Sequence, residues 1–172
     1  MLKWNFSEWV KKNLLDVKSE VTTHLAENAN KAHGGFQGAL ITTTNTQSIP
    51  DNTETKLIFT NTQYDTKDFF DSESPTGLTI PAGIEKVIIK CQSGFAAGAT
   101  GRASLTLRIN DASPTPSVTV RADNANFFYF AVISPVLSVD EGDFIEFNIR
   151  HASGGAKDTL ASVTHISLEV VE

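Results

Sequence analysis

Cysteine occurs once in the 172 residues, at Cys91. An intrachain disulfide and a Cys-rich metal knuckle are thereby excluded. The VIIKC setting of Cys91 predicts a buried strand thiol. Basic residues are also scarce: 14 Lys and Arg against 20 Asp and Glu leave a formal charge of −6. A surface that tracks phosphates needs a cluster of Lys and Arg, so nucleic acid is not an expected partner. No apolar run approaches the length of a membrane span, which argues against membrane insertion. The start, MLKWNFSEWVKKNLL, has neither the continuous apolar core nor the small-residue cleavage site of a signal peptide. The expectation is a soluble product made in the cytoplasm.

The motifs of common enzyme chemistry are missing as well. There is no P-loop, no dinucleotide-binding glycine pattern and no Gly-x-Ser-x-Gly elbow. GGFQG and GFAAGATG lack a strand-turn-helix setting and read as a linker and a loop. His24, His33, His151 and His165 do not form the spaced pairs of a zinc site. The expectation is therefore no enzyme, no cofactor and no metal. The densest acidic stretch, Asp65, Asp68, Asp71 and Glu73, is the weak candidate for a hard cation such as calcium. Its spacing does not match the usual calcium loop, and the plainer reading is a solvated loop.

What is present divides in two by period. Apolar residues make up 40% of the chain and charged residues 20%, enough for one packed domain with an extension. Residues 1–35 form the expected helical stalk or attachment segment, and 36–172 the head. Asn5 and Glu8 fit a capping box. Val10, Leu14, Val17, Val21 and Leu25 then recur as one helical stripe. Such a helix is marginal alone. It either pairs in a short parallel coiled coil or folds back on its own domain. Trp4, Phe6 and Trp9 crowd its start, as aromatics do at interface cores, and are the candidates for attachment to a larger particle.

After Gly38 the period becomes two. ALITTTNTQSI, TKLIFTNTQYD, GLTI, IEKVIIKCQ, RASLTLRIND, SVTVRA, NFFYFAVI, DFIEFNIRH and SVTHISLEVV read as strands separated by Gly, Pro, Asn and Asp. In RASLTLRIND, Ala103, Leu105, Leu107 and Ile109 face one way. In DFIEFNIRH, Ile145, Phe147 and Ile149 do. Eight to ten short strands with no helix between them predict an all-β antiparallel sandwich or barrel. In the stretch IPAGI, Pro81 suits a strand edge and Gly83 the entry to the next strand.

NFFYFAVI departs from simple alternation. Phe127, Tyr129 and Ala131 point one way and Phe128, Phe130 and Val132 the other, so both faces are apolar. One face meets the core. The second needs a cover, either another subunit or the N-terminal helix. On the first alternative, Phe127, Phe128, Tyr129, Phe130 and Val132 are the candidate trimer-interface residues. Loops carry recognition in such folds. Tyr64 as a stacking ring, with Arg102, Arg121 and Arg150 as polar anchors, are the candidate ligand-binding residues.

The order of these pieces resembles the globular heads of the complement and tumour necrosis factor superfamily. The resemblance rests on YDTKDFFDSESPTGLTIPAGIEKVII, LRIND, VISPVLSVDEGDFIEFNIRH and SVTHISLEVV, and covers about Ala39 to Val171. The closing Phe-x-Gly-x-x-Leu pattern of the family is absent from Ser162–Leu168, and no collagen repeat precedes the head. The resemblance implies a ten-strand jelly roll, a tight homotrimer and a stalk entering at one end. Heads of this kind without collagen occur among bacterial and phage structural proteins. The resulting expectation is a non-enzymatic bacteriophage protein: a trimeric fibre, head-decoration or receptor-binding component. It would be released in the virion without a signal peptide, touch other virion proteins through its N-terminal segment, and bind a host cell-surface glycan. The alternatives are a carbohydrate-binding module of a bacterial protein and an enzyme on a jelly-roll scaffold.

Overall fold

The computed structural model describes residues 20, 36–96, 101–112, 117–122 and 128–171, with the side chains of 117–122 and of Phe128 excepted. The chain divides between Gly35 and Phe36, and the fold below is that of Phe36–Glu172. In the first unit Glu20 is helical and exposed. The stripe Val10, Leu14, Val17, Val21 and Leu25, and the aromatics Trp4, Phe6 and Trp9, lie outside the described residues, as does Phe127.

Among the described residues of the head, thirteen strands run in order. They are β1 (Gly38–Thr42), β2 (Ser48–Ile49), β3 (Thr55–Lys56), β4 (Asn61–Asp65), β5 (Gly77–Thr79), β6 (Lys86–Phe95) and β7 (Gly101–Ile109). β8 (Ser117–Ala122), β9 (Phe128–Ile133), β10 (Leu137–Ser138), β11 (Phe144–Ala152), β12 (Lys157–Asp158) and β13 (His165–Val170) follow. One 3-10 turn, Ala161–Val163, precedes β13. Every pairing is antiparallel. The first sheet runs β10-β6-β13-β1-β4, with β9 also paired to β6. The second runs β3-β11-β7-β8, with β5 also paired to β11, and β12 with β2 makes a short ribbon.

The expected strands are found, but the count differs from ten because two of them break and the two-residue strands β10 and β12 are added. After Thr42, the Thr43 hydroxyl and the Asn45 amide bond to each other's neighbourhood (Thr43 Oγ1 to Asn45 O, 3.1 Å; Asn45 N to Thr43 Oγ1, 3.3 Å). A side chain thus competes with the ladder and ends β1. TKLIFTNTQYD changes sheets: β3 pairs with β11, then β4 pairs with β1. Between them Leu57 and Phe59 are buried, with their amides donating to Phe147 O (2.9 Å) and Pro75 O (2.8 Å). The segment crosses the edge of the sandwich while its backbone stays satisfied.

The core forms where the inward rows of both sheets meet. Ile41, Ile89, Cys91 and Leu168 come from the first sheet, and Leu105, Leu107, Phe147 and Ile149 from the second. Each large side chain of this kind contributes about 1.5–3 kcal/mol by leaving water. Buried polar groups pair: Ser93 Oγ lies 3.0 Å from Thr164 Oγ1, which donates to Leu160 O at 2.8 Å. Cys91 is a buried thiol, and burial pushes its ionisation well up. The Ile80–Ile84 stretch has its explanation here. Ile80 closes β5 against the β11 turn (Ile80 N to Asp143 O, 2.9 Å; Gly142 N to Ile80 O, 2.9 Å). Pro81 follows where no ladder donor is needed, and Gly83 takes φ +82°, which a side chain resists. Ile84 then returns to the core.

Candidate functional site

Two surfaces stand out, one on the outer face of each sheet. On the first sheet, β9 is an edge strand paired only to β6 among the described residues, with Phe130 opposite Ser93 and Val132 opposite Cys91. Phe130 and Val132 are buried, whereas Tyr129 is 52% and Ile133 63% exposed. Alternation is therefore as read from the sequence, but its allocation differs. Phe130 and Val132 pack into the core of their own chain, Phe130 lying 5.9 Å from Phe95. The open row of β9 is Tyr129, Ala131 and Ile133, extended by the exposed Val136.

At the other edge of the same sheet, Tyr64 stands opposite Leu40. Its ring meets Phe36 edge-on at 5.4 Å, and both rings are exposed. Between the two apolar edges lie Leu40, Ile88, Ser167 and the Lys90–Glu169 ion pair (2.6 Å), all half-buried. The outer face of the first sheet thus carries two different apolar edges flanking a mixed centre.

The outer face of the second sheet is polar. Arg108 bonds Glu54 at 2.5 Å, and Lys56 reaches both Asp111 (3.0 Å) and Glu146 (2.7 Å). Arg108 and then Asn148 hold the Glu54 carboxyl below its usual ionisation range. Hydrogen bonding to Glu146 and Asp111 raises the Lys56 ammonium. Glu146 is fully buried, and the Lys56 ammonium 2.7 Å from its Oε2 compensates its charge.

At the end of this face a cleft of about 270 Å³ is lined by Asn52, Arg102, Ser104, Arg150, His151 and Ala152. Arg150 pairs with Ser104 and Ala152 with Arg102 in the β11–β7 ladder, which makes the two arginines diagonal neighbours. Arg121 stands opposite Arg102 in the β7–β8 ladder. The carboxamide of Asn52 accepts from Arg150 Nη2 at 3.2 Å and donates to Asp51 Oδ2 at 2.9 Å. Asp51 Oδ1 accepts the amides of Ser153 (2.7 Å) and Gly154 (2.9 Å). The Gly154 amide foremost, then Ser153, Asn52 and His151, hold the Asp51 carboxyl low. Behind the cleft His151 is buried, its ring 4.9 Å from Phe95, with Nε2 donating to Ile49 O at 2.8 Å. A carbonyl cannot donate, so Nε2 carries a proton, while Nδ1 lies 3.6 Å from Asp51 with no aligned hydrogen-bond partner among the described residues.

The structure therefore unites Arg102 with Arg150 and places Arg121 beside them in register. It separates Tyr64, which sits on the other sheet. Asn52, Ser104, Phe36, Ile133 and Val136 were not singled out from the sequence. Extending the β9 alternation two residues would have found Ile133. Nothing local marks Asn52 as part of the cleft, because it reaches β11 through a long-range backbone hydrogen bond (Asn52 N to His151 O, 2.8 Å). The acidic loop is organised by its own backbone. Asp65 accepts the amides of Lys67, Phe69 and Phe70, and Asp71 that of Glu73. Asp68 takes φ +58°. Among the described residues no group of three or more acidic, His or Cys side chains is placed to hold a metal, Asp65, Asp68 and Asp71 included.

No family model matches the sequence, and no curated protein does. Solved structures are similar in fold. The globular domain of a zebrafish complement 1qA protein superposes with a TM-score of 0.56 at 15% identity, covering 79% of this chain and 98% of that one. Murine APRIL gives 0.59 at 10% identity, covering 79% and 99%. The Eiger TNF of S. frugiperda gives 0.51 at 11% identity, covering 80% and 93%. The head accordingly has the jelly-roll fold of complement 1q and tumour necrosis factor domains.

Proposed function

We propose that this chain is a non-enzymatic structural protein of a bacteriophage, a homotrimeric fibre, head-decoration or receptor-binding component. One observation carries the self-association: the paired apolar edges on the outer face of the first sheet. Tyr129, Ile133 and Val136 lie at one edge, Phe36 and Tyr64 at the other. Exposed apolar surface gathered in this way marks an interaction face. Two different edges on one face suit a heterologous contact, in which the β9 edge of one copy meets the β4 edge of the next. Such contacts close into a ring when the rotation allows. A ring of three follows from the resemblance to complement and tumour necrosis factor heads. The N-terminal segment, with Trp4, Phe6 and Trp9, supplies attachment to other virion proteins. Three copies then present three weak sites to a host surface, where linkage raises avidity.

Immunogold labelling tests the virion assignment, using an antibody against the full chain and particles released by lysis from cells carrying its gene. The reading expects label on the particles at a fixed position. Label confined to free soluble protein contradicts it.

A further inference from the structure

We propose that the cleft between β7, β11 and the β2–β3 turn binds an anionic group carried by a sugar, a carboxylate or a sulfate. The first support is unbalanced charge. The chain is acidic overall, at −6, yet Arg102 and Arg150 sit diagonally on adjacent strands without an ion pair among the described residues. Like charges so placed repel, and nothing in the fold requires them. The nearby carboxylates are committed elsewhere: Asp51 to the Ser153 and Gly154 amides, Glu54 to Arg108 and Asn148.

The second support is orientation. Asn52, at φ +57°, is pinned by its amide to His151 O and by its Nδ2 to Asp51. Its Oδ1 therefore faces Arg150 and steadies the guanidinium without neutralising it. A guanidinium presents a planar fork that matches two oxygens of one oxyanion. Ser104, opposite Arg150 in the ladder, adds a hydroxyl, and Arg121 stands at the register position opposite Arg102. The third support is size. At about 270 Å³ the cleft falls just below the range of pockets for drug-sized ligands, which suits one sugar unit rather than a long chain. The sugar assignment rests on the receptor-binding reading; the anion preference rests on the side chains alone.

The test is a chemical-shift titration of the full chain with methyl glucuronide, glucose 6-sulfate and uncharged methyl glucoside, read at the amides of Ser104 and Ala152. Expected are saturable shifts with the uronate or the sulfate, none with the glucoside, and at least tenfold weaker binding in Arg102→Gln/Arg150→Gln. The carboxylate and sulfate arms tell which group is preferred, and Lys86→Gln, on the first sheet, should match the wild type. Absence of shifts with both acidic sugars, equal shifts with the glucoside, or undiminished binding in the double variant overturns the proposal. The mass of the same samples in solution reads the assembly separately. A trimer that ignores acidic sugars sinks only the cleft, and a monomer that binds them sinks only the fibre.

Discussion

The two outer faces of this sandwich are built from strands of similar length and the same alternation, yet they differ in what they leave exposed. On the second sheet the outward row of β11 is Glu146, Asn148 and Arg150, joined by Lys56, Arg108 and Glu54 through ion pairs and amide contacts. Such a face is at home in water, and its surface pairs add little to stability. On the first sheet the outward row of β9 is Tyr129, Ala131 and Ile133. A chain that can make one face wet has no folding reason to grease the other. The difference is what the proposed reading builds on, with the first face serving contact between molecules and the second serving solvent or a polar ligand.

The comparison breaks most sharply at Ile133. Ile133→Asp should leave the circular dichroism of the head unchanged while weakening self-association by about a thousandfold or more, because central apolar anchors dominate interfaces. Thr106→Asp on the second sheet should leave association as it was. Sedimentation velocity at several concentrations reads both. Next in size is the inner row of the same strand. Phe130→Ala should cost about 3–5 kcal/mol of stability through transfer and cavity terms, measured by urea unfolding.

On the polar face, Lys56→Met leaves the buried Glu146 without its cation. A fully buried pair broken in this way costs about 3–5 kcal/mol. The Lys56 side chain is 43% exposed, so screening reduces the expected loss to about 1–2 kcal/mol. Adding Glu146→Gln should restore part of it in the same unfolding assay. The smallest effect concerns acid. Asp51 is held low mainly by the Gly154 amide. Its stabilisation is therefore present above the ordinary carboxylate value and is lost as pH falls through its depressed folded value. Thermal melts between about pH 6 and pH 3 should fall less steeply in Asp51→Asn than in the wild type.

Much of the fold was legible because alternation is local. Leu105, Leu107, Phe147 and Ile149 announce their inward row by spacing alone. The sheet change within TKLIFTNTQYD was not legible, since Leu57 and Phe59 continue the apolar period while their hydrogen-bond partners lie far along the chain. The same limit governs the sites. NFFYFAVI declared two apolar faces but not which one met its own core. Arg102 and Arg150 are separated in sequence and meet only through the β7–β11 register, with Asn52, in the turn-like PDNT, added by a long-range bond to His151 O that nothing nearby predicts.

Sedimentation equilibrium of the full chain over a wide concentration range tests most directly whether copies of the chain cover the Tyr129–Ile133 face. The account predicts a species of three times the 18.6 kDa chain mass. A single-chain mass persisting at every concentration would contradict it.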